Sequence, residues 1–306
     1  MKIICKNILL GIFAFMVVTA CDDIDEADRI TIGKVEEHKI EAEEKTIEVE
    51  GKSFVYIDQH NILIEDFTGW KCVNCPDMAA FLANDIEFIY PSVVVSLHPS
   101  TNTLSNTDLP NIPFKLSCTL ADEIANTLAG SNVASSLSLP AVSIDQKPYN
   151  DQILHSGYTP DNLNALRSLA YSQYFSYFIN KKEFANLAIH VNQLPNSIYE
   201  LSTLIVPGSY SNRNVRFQLW LLESGIVAYQ FTQTGTDREY VNNHVLRMAI
   251  NGNQGETISL SDDNVVKSYQ LSLDDTGYIA DNCSVVAIIS DPNTNEVINC
   301  IEVDLK

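Results

Sequence analysis

Two cysteines separated by two residues, Cys72 and Cys75, are the side chains of this sequence best suited to chemistry. They follow an apolar run over residues 62–67, which predicts a buried strand, and they precede residues 77–82, whose pattern predicts a helix. Backbone N–H groups at a helix start favour negative charge, so a cysteine placed there ionises more easily, and the thiolate is the reactive form. The arrangement predicts a redox dithiol in which Cys72 starts the helix and attacks, and Cys75 lies about one turn further into the helix.

A proline on a later strand is a second candidate site residue. Pro140 begins an apolar run over residues 140–145 that predicts another strand. Because a proline removes a donor from the strand ladder, its presence there needs a structural reason. A cis peptide bond between Leu139 and Pro140 would place the backbone of residue 139 beside the active sulfur, ready to pair with an extended peptide.

Taken together, these features resemble the thioredoxin superfamily over roughly residues 54–180. In thioredoxins an acid six residues before the first cysteine is buried behind the dithiol and assists proton transfer, and Asp66 stands at that spacing before Cys72. The resemblance therefore implies this role for Asp66. The alternative for Asp66 is an exposed carboxyl at the end of its strand.

The resemblance has two departures. Thioredoxin has a Trp directly before the first cysteine, whereas here Lys71 stands between Trp70 and Cys72. The stretch between the dithiol and Pro140 is also longer than in thioredoxin, which indicates an inserted helical piece at about residues 100–130. These departures leave the class of substrate open.

The N-terminus resembles the signal of an exported lipoprotein. A short basic segment precedes an apolar stretch over residues 8–18, which is too short to cross a bilayer because a spanning helix needs about 20 residues. Small residues then lead to Cys21, as in a bacterial lipobox, whose cysteine is diacylated and becomes the first residue of the mature protein. We therefore expect lipid anchoring at Cys21; the alternative is an ordinary signal peptide with a chance cysteine.

Charge and composition limit the classes of partner and cofactor. The formal net charge of −20 disfavours nucleic acid and anionic membrane surfaces as partners. A single Cys-x-x-Cys supplies two ligands, whereas a zinc site takes four, and nothing in the sequence shows that His98 or Cys118 would complete the set. The sequence contains neither a phosphate-binding loop nor G-x-S-x-G. We therefore expect no metal and no cofactor.

The sequence divides into four parts. Residues 1–20 are the signal peptide and residues 21–52 an acidic tether, within which the alternation at 47–50 predicts a short edge strand. Over residues 53–182 strands alternate with helices, and over residues 183–306 short apolar runs are separated by turn signals. The predicted fold class is an α/β thioredoxin-like domain followed by an all-β immunoglobulin-like sandwich domain.

Two cysteines near the C-terminus flank a predicted hairpin. A turn over residues 292–295 would put Cys300 opposite Ala287 and not opposite Cys283. Two buried free thiols are therefore favoured over a disulfide between them. His244 and Arg247 lie on an apolar segment of the same half, where a structural role is favoured over ligand binding.

Features along the whole chain resemble a narrower family. They are the lipobox, the acidic tether, the run from Glu65 to Gly69 before Cys-x-x-Cys-Pro, and the segments 222–230 and 240–247. The resemblance, over most of residues 54–306, is to the outer membrane protein family named for its twenty-eight-kilodalton founding member, found as lipoproteins in Gram-negative bacteria. It implies an outer membrane location, on either the periplasmic or the surface face, and its members are described mostly as outer membrane or surface proteins.

Two functions remain in view. In the first, a protein held at the outer membrane through Cys21 exchanges thiols and disulfides with exported proteins. In the second, it is a surface adhesin or binding lipoprotein, with an unknown ligand, whose Cys72–Cys75 pair is only a structural disulfide. The reduction potential of that pair separates the two hypotheses.

Overall fold

The computed structural model describes residues 44–109, 111–112, 114–179 and 183–306. The signal peptide, the tether up to residue 43 and the predicted lipidation site Cys21 lie outside these residues. No helix in the described part of the chain is long and apolar enough to cross a membrane.

Strands outnumber helices throughout the described residues. The helices are Cys75–Phe81 (α1), Thr119–Ala129 (α2) and Asn164–Ile179 (α3), and a π-helical turn, Leu82–Ile86, continues α1. The strands are Glu44–Val49 (β1), Lys52–Ile57 (β2), Ile62–Phe67 (β3), Ser92–Leu97 (β4), Ala141–Ile144 (β5), His155–Ser156 (β6), Asn186–Leu194 (β7), Ile198–Val206 (β8), Asn214–Glu223 (β9), Ile226–Thr232 (β10), Gly235–Asn242 (β11), Val245–Ala249 (β12), Glu256–Ser259 (β13), Val265–Ser272 (β14), Cys283–Ser290 (β15) and Val297–Asp304 (β16).

One large sheet contains strands from both halves of the chain. Its order is β16-β15-β9-β12-β4-β3-β5-β6, with β13 also paired to β9. At its centre β3 and β4 run parallel, with Ile64 beside Val94, while β5 is antiparallel to β3. The other edge of β4 meets β12, where Val245 pairs with Ser96 and the Ser96 N–H donates to His244 O at 2.8 Å.

The predicted fold class is wrong. The described chain is mostly β-structure in several sheets, and no separate α/β thioredoxin-like domain precedes a sandwich. The physical reason is the second edge of β4: it pairs with β12, which brings β9, β15 and β16 into the same sheet. The division predicted between residues 182 and 183 stays a prediction, but this sheet joins strands from both sides of it.

Alternation along the strands separates the cores on the two faces of the large sheet. On β3, Leu63 and Phe67 enter the core beside α2, whereas Ile62 and Ile64 enter the core beside α1 and α3. Since side chains alternate along a strand, Asp66 lies on the same face as Ile62 and Ile64. Apolar side chains of β9 divide in the same way between the α2 core and a third core against the sheet β14-β8-β7.

Several local predictions are confirmed. The edge strand predicted near residue 47 is β1, and the helical piece predicted at about residues 100–130 contains α2. Helix α2 ends at Gly130, whose φ of 63° is the left-handed conformation that favours glycine at a helix end. Cys283 and Cys300 are buried free thiols. Their register differs by one residue from the prediction, since Cys300 lies opposite Ile288 in a hairpin with a bulge at Ile289.

Candidate thiol–disulfide site

Cys72 and Cys75 form a disulfide in the loop that joins β3 to α1. Their Cα atoms are 5.4 Å apart, and the two residues are 3% and 2% exposed. The helix begins at Cys75 with Pro76 in its first turn, where a proline is well accommodated. Cys72 therefore precedes the helix, contrary to the sequence prediction, and its N–H donates to Gly69 O at 2.9 Å.

A hairpin formed by β10 and β11, residues 226–242, covers this loop. The Gln230 Nε2 donates to Cys72 O at 3.0 Å and to Gly69 O at 3.3 Å. The Phe231 N–H donates to Trp70 O at 2.8 Å, and the two rings meet edge to face with centroids 5.3 Å apart. This covering hairpin therefore shields the disulfide loop on one side.

The segment between β4 and α2 holds the same loop from another side. The Lys71 N–H donates to Leu104 O at 3.0 Å, and the Trp70 Nε1 donates to Thr107 O at 3.1 Å. Gly69 permits this close approach, because a Cβ atom there would lie 2.6 Å from Leu104 O. The backbone leading into Cys72 is thus fixed by two segments that are distant in the sequence.

Asp66 lies beneath the disulfide loop. It is buried, as the resemblance implied, and is not an exposed carboxyl at the end of its strand. Its residue is 1% exposed, and its Oδ1 has no hydrogen-bond partner within the described part of the chain. Burial raises the pKa of this carboxyl to about 7. Asp66 and Cys75 line the same cavity, of about 280 Å³.

Pro140 lies at the start of β5, beside the end of β3. The Leu139–Pro140 peptide bond is cis, as predicted, and the next residue, Ala141, pairs with Phe67. Leu139 is buried in the same core as both cysteines. The structure thus brings the predicted site residues to one end of β3, while their catalytic roles stay a prediction.

Two further residues of the site, Gln230 and Tyr240, were missed from the sequence, and His98 was considered there only as a possible metal ligand. The pKa of His98 is lowered to about 3, by burial and then by the charge of Arg247, so this imidazole is neutral. The pKa of Tyr240 is raised to about 12, by burial and then by the nearby Asp66 carboxyl. Because these side chains come from strands far apart in the sequence, their types and local spacing contain no signal for their convergence.

The described residues contain no group of three or more His, Cys, Asp or Glu side chains placed to hold a metal ion. The chemistry that the arrangement supports is that of a disulfide with an adjacent protonatable carboxyl. A disulfide can accept electrons from thiols, and the adjacent carboxyl can hold or release a proton during that exchange.

Comparison with known proteins gives a matching family and similar solved structures. Residues 159–306 match the family described as outer membrane protein Omp28. HBP35 of Porphyromonas gingivalis matches with a TM-score of 0.59 and 14% identity, over 81% of this chain and 76% of that chain, which shows a likeness of fold alone. The crystal structure of a domain of the outer membrane lipoprotein Omp28 from Porphyromonas gingivalis matches with a TM-score of 0.27 and 22% identity, over 40% of this chain and 88% of that chain.

The comparison with curated proteins gave no match. The family match agrees with the resemblance seen in the sequence and covers its C-terminal part, including β7–β16. Residues 159–306 therefore match the outer membrane protein Omp28 family, and this match locates the protein at the outer membrane.

Proposed function

We propose that this outer membrane protein exchanges thiols and disulfides with exported proteins through Cys72 and Cys75. The observation that supports this proposal is the Asp66 carboxyl, which is buried without a partner in the cavity that Cys75 also lines. A buried unpaired carboxyl destabilises a fold, so its position against a disulfide fits a functional role better than a structural one.

The oxidised pair accepts two electrons from a partner dithiol. A partner thiolate attacks the Cys72 sulfur, the bond to Cys75 breaks, and Cys75 leaves as a thiolate that takes a proton from Asp66. The second partner thiolate then attacks the partner's own sulfur in the mixed disulfide, and Cys72 leaves as a thiolate. The partner gains a disulfide and the Cys72–Cys75 pair is reduced, so electrons and bonds balance.

A second candidate function has its own observation. Both sulfurs are buried beneath the covering hairpin, as expected if the disulfide only stabilises a surface binding protein. The reduction potential distinguishes the two. A structural disulfide has a potential below about −300 mV, whereas redox sites lie between about −120 and −270 mV.

We expect the wild-type pair to have a potential in the redox range, and Gln230→Leu to be reduced by dithiothreitol about tenfold faster. Gln230→Leu removes the two side-chain hydrogen bonds to the loop, and about 1.4 kcal/mol of lost restraint corresponds to a factor of ten. The measurement is thiol alkylation followed by mass spectrometry in dithiothreitol buffers. Gln193→Leu, at an exposed position on β7, is the matched control and should react like the wild type. A wild-type potential below about −300 mV, with no insulin reductase or isomerase activity, would leave the structural disulfide in place of our proposal.

We also propose that Cys21 bears the lipid anchor. Labelled fatty acid should enter the wild-type protein, and Cys21→Ser should lose both the label and retention in the membrane fraction, because the thioether to the lipid cannot form. Cys118→Ser is the control and should keep both. Equal labelling of Cys21→Ser and wild type would refute the assignment.

A further inference from the structure

We propose that the cleft between α1 and β11 binds a small organic cation whose ammonium groups pair with Asp66 and Glu87. This cleft is the cavity of about 280 Å³ behind the disulfide. The proposal goes beyond thiol exchange, since it concerns a ligand that binds the oxidised protein without any change in the cysteines.

The cleft exists because one wall is built from small side chains. Towards β11, α1 and the π-helical turn after it present Pro76, Ala79, Ala80 and Ala83, and the opposite wall is formed by residues 240–243. At about 30 Å³ for each water, the space corresponds to about nine water molecules. A linear ligand of several heavy atoms fits this volume.

Two polar atoms at the floor lack partners. The Asp66 Oδ1 and the His98 Nδ1 both line the cleft side of the sheet, are buried, and have no hydrogen-bond partner among the described residues. Leaving such an atom unsatisfied has a free-energy cost, which is larger for a charged group. A ligand that donates hydrogen bonds to Asp66 would recover this cost, and neutral His98 would not repel its charge.

The charges around the cleft favour a cation. Asp66 and Glu87 are its two carboxyl groups, and the cleft-lining residues include no Lys or Arg. On β11 Tyr240 stays a neutral phenol, because its pKa is raised to about 12 by burial and by nearby carboxylates. His244 also lines the cleft, but its Nδ1 lies 3.3 Å from Glu302 Oε1, so its positive charge is countered there.

Binding should strengthen as the pH rises from 6 to 8. The pKa of Asp66 is about 7 through burial, so this carboxyl becomes anionic over this interval. The pKa of Glu87 is also raised, first by burial. The pKa of His244 is raised, first by its hydrogen bond to Glu302, so His244 loses its competing charge as the pH increases. An alkyl ammonium group, with a pKa of about 10.4 like that of lysine, stays charged throughout this range.

The test is isothermal titration of the oxidised, detergent-solubilised full-length protein with 1,4-diaminobutane, and with 1,4-butanediol as the uncharged probe of equal length. We expect saturable binding of the diamine at pH 8, about fivefold weaker binding at pH 6, and no binding of the diol. Asp66→Asn should weaken the diamine affinity at least about tenfold, since a hydrogen bond to a charged group contributes about 1.5–3 kcal/mol. Glu87→Gln, nearer the surface, should have a smaller effect.

Asp161→Asn is the charge-matched control, because Asp161 is exposed and does not line the cleft. It should bind the diamine like the wild type. A Cys72→Ser variant removes the disulfide at a residue that does not line the cleft and should also keep binding, which separates failure of this proposal from failure of thiol exchange. An unchanged affinity in Asp66→Asn, equal binding of the diol, or no saturable binding at pH 8 would overturn the site.

Discussion

Replacing Arg247 with Met should lower the free energy of unfolding by about 3–5 kcal/mol, because it leaves the charge of Glu223 buried without a partner. Arg247 and Glu223 are 8% and 4% exposed. The Arg247 Nε and Nη2 donate to Glu223 Oε2 at 2.8 and 2.7 Å, and the other carboxylate oxygen accepts the Ile279 N–H at 3.0 Å. The pair therefore joins β12 to β9 and to the segment before β15.

Arg247 also packs against segments outside the sheet. Its guanidinium lies 5.2 Å from the ring centre of Phe114 and 5.0 Å from that of Tyr278, and its Nη1 donates to Lys115 O at 3.3 Å. These contacts give Arg247 the structural role that the sequence favoured. The loss of stability should therefore be accompanied by loosening of the segment that precedes α2.

Urea unfolding followed by circular dichroism measures this effect. Lys306→Met, which breaks the exposed ion pair with Asp281, is the matched control and should cost less than about 1 kcal/mol. The double variant Arg247→Met/Glu223→Gln should recover part of the loss, because it removes the unpaired charge. A single variant as stable as Lys306→Met would show that the buried pair contributes nothing beyond its packing.

The stability of the wild type should fall as the pH rises from about 4 to about 7, and Asp66→Asn should remove much of this fall. The pKa of Asp66 rises from 3.8 to about 7 on folding through burial, so the folded protein holds this proton over a range in which the unfolded chain has released it. Because the folded state then binds more protons, the free energy of unfolding decreases with pH in this interval and levels off above it.

The ionisation of Asp66 should lower the free energy of unfolding by on the order of 4 kcal/mol over this interval, at about 1.4 kcal/mol for each pH unit. The pKa of Glu65 is raised from 4.5 to about 7 mainly by burial. Glu65 therefore also lowers the free energy of unfolding as the pH rises, and this second decrease should remain in Asp66→Asn. Urea unfolding between pH 4.5 and 8 measures both profiles, with Asp161→Asn as the control. Parallel profiles for the wild type and Asp66→Asn would show that Asp66 ionises freely in the folded protein.

The local elements of the site could be predicted from sequence because their signals are local. The apolar runs of β3, β4 and β5, the cis bond before Pro140 and the glycine end of α2 each depend on neighbouring residues. The start of α1 was placed three residues early, since Pro76 in the first turn decides it and the cysteine spacing does not.

The long-range arrangement could not be predicted in the same way. The contacts of Gln230 with the disulfide loop join residues 158 and 161 positions apart, and the pairing of β12 with β4 uses backbone groups that any residue supplies. Strand pairing of this kind depends on burial across the whole molecule. For this reason the fold class was wrong although most of its strands were located.

The position of β4 between β3 and β12 determines when the large sheet can be completed. Because β4 is synthesised before β12, the outer edge of β4 gains its partner only when residue 245 has followed. Until then an apolar strand with free backbone donors and acceptors is open to pairing with other chains. The sheet that unites the two halves is therefore completed late, because β4 has an unpaired edge from its own synthesis until β12 arrives.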